Sequence, residues 1–250
     1  MKLGVCDWGI GGLGFYRLLR EARPDLDVIY LGDQGVPGYG KLPRAVLAER
    51  LRMVFEEFRD REVGEVVVAC NAASTVLDLA AVEGVRATGM IKGTLSEIGS
   101  GRGPIGVIGG RRTIVSGAYA RPLRAAGWTV RNRIAQPLSG LIEDGKANSS
   151  ETEAALDAIL RPLRGVGRLV LACTHYIALQ EPIRRRLPNV ELIDPATVVW
   201  SQLAPHLPFA TDRVGSTAFL TTGDPTQMAQ AAFAAFGVVC APERITHPNP

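Results

Sequence analysis

The chain has 250 residues, 46% hydrophobic and 21% charged, enough to bury a large core as one big domain or two small ones. A net charge of +3 is too weak for a nucleic-acid footprint, and no apolar run reaches the length of a membrane helix. Four cysteines without Cys-x-x-Cys spacing make no disulfide framework and argue against a metal or redox motif.

Residues 2–6 read as a first strand, and Asp7 follows too early for a signal peptide, so a cytoplasmic protein is expected. The turn Gly9-Ile10-Gly11-Gly12-Leu13-Gly14 loosely fits a dinucleotide fingerprint. Asp7 in front of it would repel a pyrophosphate, so glycines allowing close helix packing are the simpler reading. A helix over 15–21 and a strand over 27–31 lead to Gly32-Asp33 and a breaker-rich loop, Gly35 to Gly40, whose one aromatic is Tyr39. Residues 44–60 carry helical periodicity. A strand over 65–69 ends in Ala69-Cys70-Asn71-Ala72-Ala73-Ser74, followed by a helix over 74–81, a strand over 85–91 and a crossover at 92–94.

The alternation then restarts: strand 105–108, loop 109–112, helix 114–126, strand 129–134, helix 137–145 and helix 153–163. A second apolar strand ends in Ala172-Cys173-Thr174-His175-Tyr176 and is followed by a helix to 187, whose Arg184-Arg185-Arg186 reads as a solvated end. A strand over 190–193, a helix opened by Asp194-Pro195-Ala196, strand 218–221, helix 225–236, strand 237–240 and a Pro-rich, poorly ordered tail from 242 complete the chain. Cys6 and Cys240 lie in apolar runs and read as inert core residues; His206 and His247 have no partner in the sequence.

This pattern implies an α/β protein of two similar lobes, each with a mainly parallel sheet flanked by helices and the site in the cleft between them. The two Ala-Cys units look like copies. Each puts a sulfur where a strand hands over to a helix, with Asn71, Ser74 and Thr174 suited to capping. Helix N-termini favour thiolate over thiol. Two thiols across one substrate carbon can move a proton from one face to the other, with no metal and no pyridoxal cofactor. Asn71, Thr174 and nearby backbone N–H groups would hold the carboxylate. Asp7 and His175, at their strand ends, could each gate the proton of one sulfur.

Across nearly its whole length the sequence resembles the cofactor-independent aspartate/glutamate racemase superfamily, most closely the glutamate racemases. The likeness rests on Asp7 with Gly11-Gly12-Leu13, Gly32-Asp33 with Gly38-Tyr39-Gly40, Ala69-Cys70-Asn71, Leu141-Ile142-Glu143-Asp144-Gly145 and Cys173-Thr174-His175-Tyr176. It implies a first lobe of 1–92 plus 209–250 and a second of 93–208. It further implies Cys70 and Cys173 as the acid/base pair, assisted by Asp7 and His175. Asp7, Trp8, Tyr39, Gly40, Asn71, Ala72, Thr174 and His175 would bind substrate, and Asp33 and Glu143 would support the site. The implied activity is interconversion of L- and D-glutamate for cell-wall peptidoglycan, with a small amino acid as partner and a homodimer as the assembly. Three positions depart from the pattern: Trp8 stands for a Ser, Ala72 for a Thr and Gly38 for a Pro. Losing two hydroxyl donors opens two alternatives: another substrate, aspartate or an aromatic amino acid, or a non-catalytic binding descendant.

Overall fold

The computed structural model describes residues 1–246, so His247 and the end of the predicted tail lie outside the described residues. Among the described residues ten strands run in chain order: β1 (Lys2–Asp7), β2 (Asp27–Gly32), β3 (Glu65–Val68), β4 (Arg86–Gly89), β5 (Pro104–Gly109), β6 (Thr129–Ile134), β7 (Arg168–Ala172), β8 (Glu191–Ile193), β9 (Thr217–Thr221) and β10 (Glu243–Arg244). They form two sheets, ordered β10-β9-β2-β1-β3-β4 and β6-β5-β7-β8. Every pairing between these strands is parallel, as expected when helices make the crossovers.

The order β2-β1-β3-β4 in the first sheet repeats as β6-β5-β7-β8 in the second. Their registers agree as well: Cys6 pairs with Val68 near the end of β1 and β3, and Gly109 with Ala172 at the end of β5 and β7. Each Cys therefore follows the third strand of its unit. β9 and β10 have no counterpart in the second sheet and extend the first beyond β2.

Both faces of the first sheet are covered, which explains why β3 is an unbroken Val run. Val66 and Val68 pack with Leu47, Leu51, Phe55 and Phe58 of the helix Arg44–Asp60. Val67 turns the other way, toward Leu13, Phe15, Met228 and Phe236. The second sheet has the same two-sided build, with Leu169 and Leu171 on one face and Val170 and Ala172 on the other. Two helices, Met90–Ile98 and Pro195–Leu203, serve both sheets. Met90, Ala196 and Val199 join the first sheet's core, while Ile91, Ile98 and Val198 pack with the second.

Several sequence expectations need correction. The strand over 85–91 stops at Gly89, and residues 92–94 lie inside the helix Met90–Ile98 rather than in a crossover loop. The helix expected over 114–126 is two, Arg111–Val115 and Ala120–Ala125, broken at Gly117 with φ +68°. Instead of a helix over 74–81 there is a short helix Asn71–Ser74 and a 3₁₀ turn Leu77–Leu79. No strand forms over 237–240; the edge strand is β10, inside the supposed tail, with Ile245 buried behind it. Arg186 is not solvated but folded onto Glu153 and Asp157, the latter at 2.6 Å.

Candidate active site

Cys70 and Cys173 are the N-cap residues of matching turns. Cys70 has φ −146° and ψ 117° ahead of the helix Asn71–Ser74; Cys173 has φ −154° and ψ 128° ahead of the 3₁₀ turn Thr174–Leu179. Neither turn has a side-chain cap, contrary to the role expected of Asn71, Ser74 and Thr174. Those groups are engaged elsewhere. Ser74 Oγ donates to the Cys70 carbonyl at 2.7 Å and accepts from the Met90 N–H at 2.9 Å. Thr174 Oγ1 donates to Asp7 Oδ2 across the lobes at 2.9 Å.

The two sulfurs share one cavity of about 290 Å³, lined also by Asp7, Trp8, Tyr39, Gly40, Asn71, Ala72, Thr174 and His175. That volume suits a small amino acid. All the substrate-contact positions expected from the sequence thus meet at one place, and Asp33 and Glu143 stand behind it. Among the described residues no group of three or more His, Cys, Asp and Glu could hold a metal ion.

The surroundings of the two thiols differ. Cys70 is buried beside the buried carboxylate of Asp7. Burial first, and then the Asp7 charge, push its thiol well up, against a smaller pull from the Ala73 N–H. Asp7 is itself pushed up by burial, opposed by His175 and by its hydrogen bonds to Cys70, Trp8 and Thr174. Raising the carboxylate makes Asp7 a stronger base than an ordinary Asp, while the Cys70 thiol rises as well. Cys173 is half-buried and faces His175, whose Nδ1 lies 3.7 Å from the sulfur. The opposite ring nitrogen, Nε2, is 2.6 Å from Glu143 Oε1. Burial opposes the imidazolium, but Cys173 and Glu143 outweigh it and hold His175 well above the ordinary value. Glu143 is fixed in turn by the Ile10 N–H at 3.1 Å and by Gln34 Nε2 at 3.2 Å.

The Gly-rich turn after β1 serves this arrangement as well as the close packing expected of it, which Gly14 shows against Ile177 and Phe236. A Cβ on Gly11 would come within 2.5 Å of His175 Nδ1 and 2.6 Å of Asp7 Oδ2, and one on Gly9 within 3.0 Å of the Glu143 carboxyl carbon. Only bare backbone fits between the assisting groups of the two sulfurs.

Asp33 is fully buried and does not line the cavity. It accepts from Arg50 Nε at 2.8 Å, Tyr39 Oη at 2.7 Å and Thr222 Oγ1 at 2.7 Å. The Tyr39 hydroxyl is therefore spent on Asp33 and its ring is the part that walls the site. Trp8 is half-buried, donating its indole N–H to the Val36 carbonyl at 2.8 Å and lying over Gly38. Its polar atom faces the loop, so it offers the cavity an apolar surface. A Pro ring at 38 would extend toward the indole, which links the Trp8 and Gly38 departures.

Sequence reasoning missed the partner that orients Asn71. Tyr119 Oη donates to Asn71 Oδ1 at 2.7 Å, and the buried Nδ2 of this cavity-lining side chain has no hydrogen-bond partner among the described residues. An orphaned buried donor is costly unless something arrives to accept from it. Thr113, Gln136 and Ser139 of the second lobe also line the cavity and carried no signal beyond their polarity.

The family model for Asp/Glu/Hydantoin racemase matches residues 19–203. The glutamate racemase of Limosilactobacillus reuteri (strain DSM 20016) is 35% identical over 203 residues, 78% of this chain and 76% of that protein. The Aquifex aeolicus (strain VF5) glutamate racemase is 33% identical over 78% of each chain. Among solved structures, glutamate racemase from Thermus thermophilus in complex with β-chloro-D-alanine superposes with TM-score 0.86 at 28% identity, covering 98% of this chain and 96% of that one. The Francisella tularensis enzyme in complex with D-glutamate gives 0.85 at 25% identity, over 98% and 97%.

Proposed function

Because this chain belongs to the Asp/Glu/Hydantoin racemase family, we propose that it racemises glutamate by passing protons between Cα and two thiols, Cys70 and Cys173. The observation that carries the reading is the pair of equivalent Cys positions, one per sheet, opening on a single cavity of about 290 Å³. One sulfur, as thiolate, takes the Cα proton; the opposite thiol gives its proton to the other face of the planar carbanion. The sulfurs have then exchanged protonation states, and the product is the mirror image. The reaction is neutral in atoms and charge.

The assisting groups ready each sulfur. Asp7 accepts the Cys70 proton and returns it; His175, held by Glu143, exchanges a proton with Cys173. The Asn71 amide, aimed by Tyr119, donates to the substrate carboxylate, and no resident cofactor enters any step. The kinship with glutamate racemases supports glutamate over the aspartate, aromatic and non-catalytic alternatives. On this account the Trp8 ring narrows the pocket without touching charge. The division into lobes 1–92 with 209–250 and 93–208, a homodimer, a cytoplasmic location and delivery of D-glutamate to peptidoglycan belong to the same proposal.

Deuterium entry at Cα in heavy water tests it. Wild-type protein should label L- and D-glutamate and interconvert them, with aspartate slower. Exchange that persists in the Cys70→Ala, Cys173→Ala double variant would falsify the two-thiol route.

A further inference from the structure

Beside the candidate active site lies a second concavity of about 470 Å³, and Gly40, next to Tyr39, lines both. Four arginines line it: Arg44 from the first lobe, and Arg111, Arg112 and Arg121 from the two short helices after β5. Among the described residues no Asp or Glu lines it. Arg44 pairs with an exposed Asp78 at 3.3 Å, Arg121 donates to the Ser116 carbonyl at 2.5 Å, and Arg112 donates to the Tyr39 and Leu42 carbonyls. The Arg111 side chain has no hydrogen-bond or ion-pair partner among the described residues. The Thr75 and Ser116 hydroxyls there are already committed to backbone carbonyls. The rest of the wall is apolar: Val115, 67% exposed, and Ala118.

We propose that this pocket is a binding site for a phosphate-bearing small molecule, with the guanidinium groups of Arg44, Arg111, Arg112 and Arg121 holding the phosphate. Asp78 is the one carboxylate paired with these four arginines among the described residues, so the concavity keeps an excess of positive charge that an anion would offset, and burial together with Arg44 already disfavours the Arg112 cation. Planar guanidinium forks match phosphate oxygens in pairs, which ammonium groups do not. The volume falls in the ordinary range for small-molecule sites, roughly 300–1,000 Å³, and a concave shape bridging two lobes suits a compact anion rather than a nucleic-acid backbone. Val115 and Ala118 provide a surface for the organic part of an ester. Arg112 connects the site to the loop walling the catalytic cavity, so an occupant would hold both lobes and that loop together.

Calorimetric titration at about 0.15 M salt tests the site, using inorganic phosphate, inorganic pyrophosphate and phenyl phosphate on the full chain. The Cys70→Ala, Cys173→Ala variant serves as a parallel sample, so the result does not depend on any racemase activity. Saturable binding is expected for at least one probe. Affinity should fall roughly tenfold or more in the double variant Arg111→Gln, Arg121→Gln, whose side chains are exposed and outside the catalytic cavity. Tighter binding of phenyl phosphate than of phosphate assigns the site to an ester; equal affinity assigns it to the inorganic anion. Absence of saturation below about 10 mM for all three probes would overturn the proposal. So would unchanged affinity in the arginine variant while circular dichroism shows it folded.

Discussion

The two halves of the proposed catalytic cavity share a backbone and differ in chemistry. Each sulfur follows the third strand of a β2-β1-β3-β4 unit or its repeat, with nearly the same φ and ψ. Around Cys70 the assisting group is a buried carboxylate; around Cys173 it is an imidazole backed by another carboxylate. A reaction that runs in both directions needs each sulfur to serve as acid and as base. On the proposed two-thiol route, repetition in the fold makes the sulfurs equivalent in position, while a carboxylate would serve one and an imidazole the other. Symmetry of position does not require symmetry of means.

The comparison is broken most severely by removing a sulfur. Cys70→Ala and Cys173→Ala should each lower racemisation by about 10³-fold or more, measured by circular dichroism of the product. Next come the assisting groups. Asp7→Asn and Glu143→Gln should each cost about 10²-fold in kcat, with different pH signatures. Wild-type activity should fall on the acid side as Asp7 takes up a proton, with a midpoint above the ordinary carboxylate value of about 3.9; in Asp7→Asn that limb should vanish. Glu143→Gln should keep the acid limb but bring His175 down toward its ordinary value of about 6.5, read by NMR of the ring. The stability that His175 contributes is complete below that ordinary value and lost as pH rises through the higher folded one. This variant should therefore lose stability mainly on the acid and neutral side.

A smaller effect is expected at Asn71. Tyr119→Phe frees the carboxamide to turn, so KM should rise about fivefold, the equivalent of one hydrogen bond, with kcat changed less. An equal fall in kcat would mean that Asn71 acts on the transition state instead. The smallest effect lies far from the cavity. Arg23 holds the Asp25 carboxyl down to about 2, and Arg213 lowers Asp27, together pinning residues 211–216 against β2. That anchorage is present above the ordinary carboxylate range and is lost as pH falls from about 4 to about 2. Thermal unfolding should show an acid-side loss over this window, reduced in Arg213→Gln.

Much of this was legible in the residues because it depends on local pattern. A Val run covered on both faces reads as a parallel strand, and a strand ending in Ala-Cys before polar residues brings the sulfur to a sheet edge. The four-residue helix after Cys70 was not legible, because its end is set by Ser74 bonding to Cys70 and Met90 rather than by propensity. The direction of the Trp8 ring depended on a carbonyl 28 positions away, at Val36. Tyr119 was missed as a site residue for the same reason: its partner Asn71 lies 48 positions earlier, on the other sheet's side of the cavity. The role of Gly11 likewise appeared only once His175 and Asp7 stood on either side of it.

The placement of β9 has a consequence for the order in which the molecule is made. The second sheet is drawn from one uninterrupted stretch of chain and can close while synthesis continues. The first cannot: the outer edge of β2 stays bare until residues 217–221 arrive, and Thr222, which secures Asp33 and through it Tyr39, comes later still. A nascent chain halted at residue 215 would carry both sulfurs and every assisting group, yet its loop over the pocket would lack the last strut, leaving a finished half beside an unsealed one.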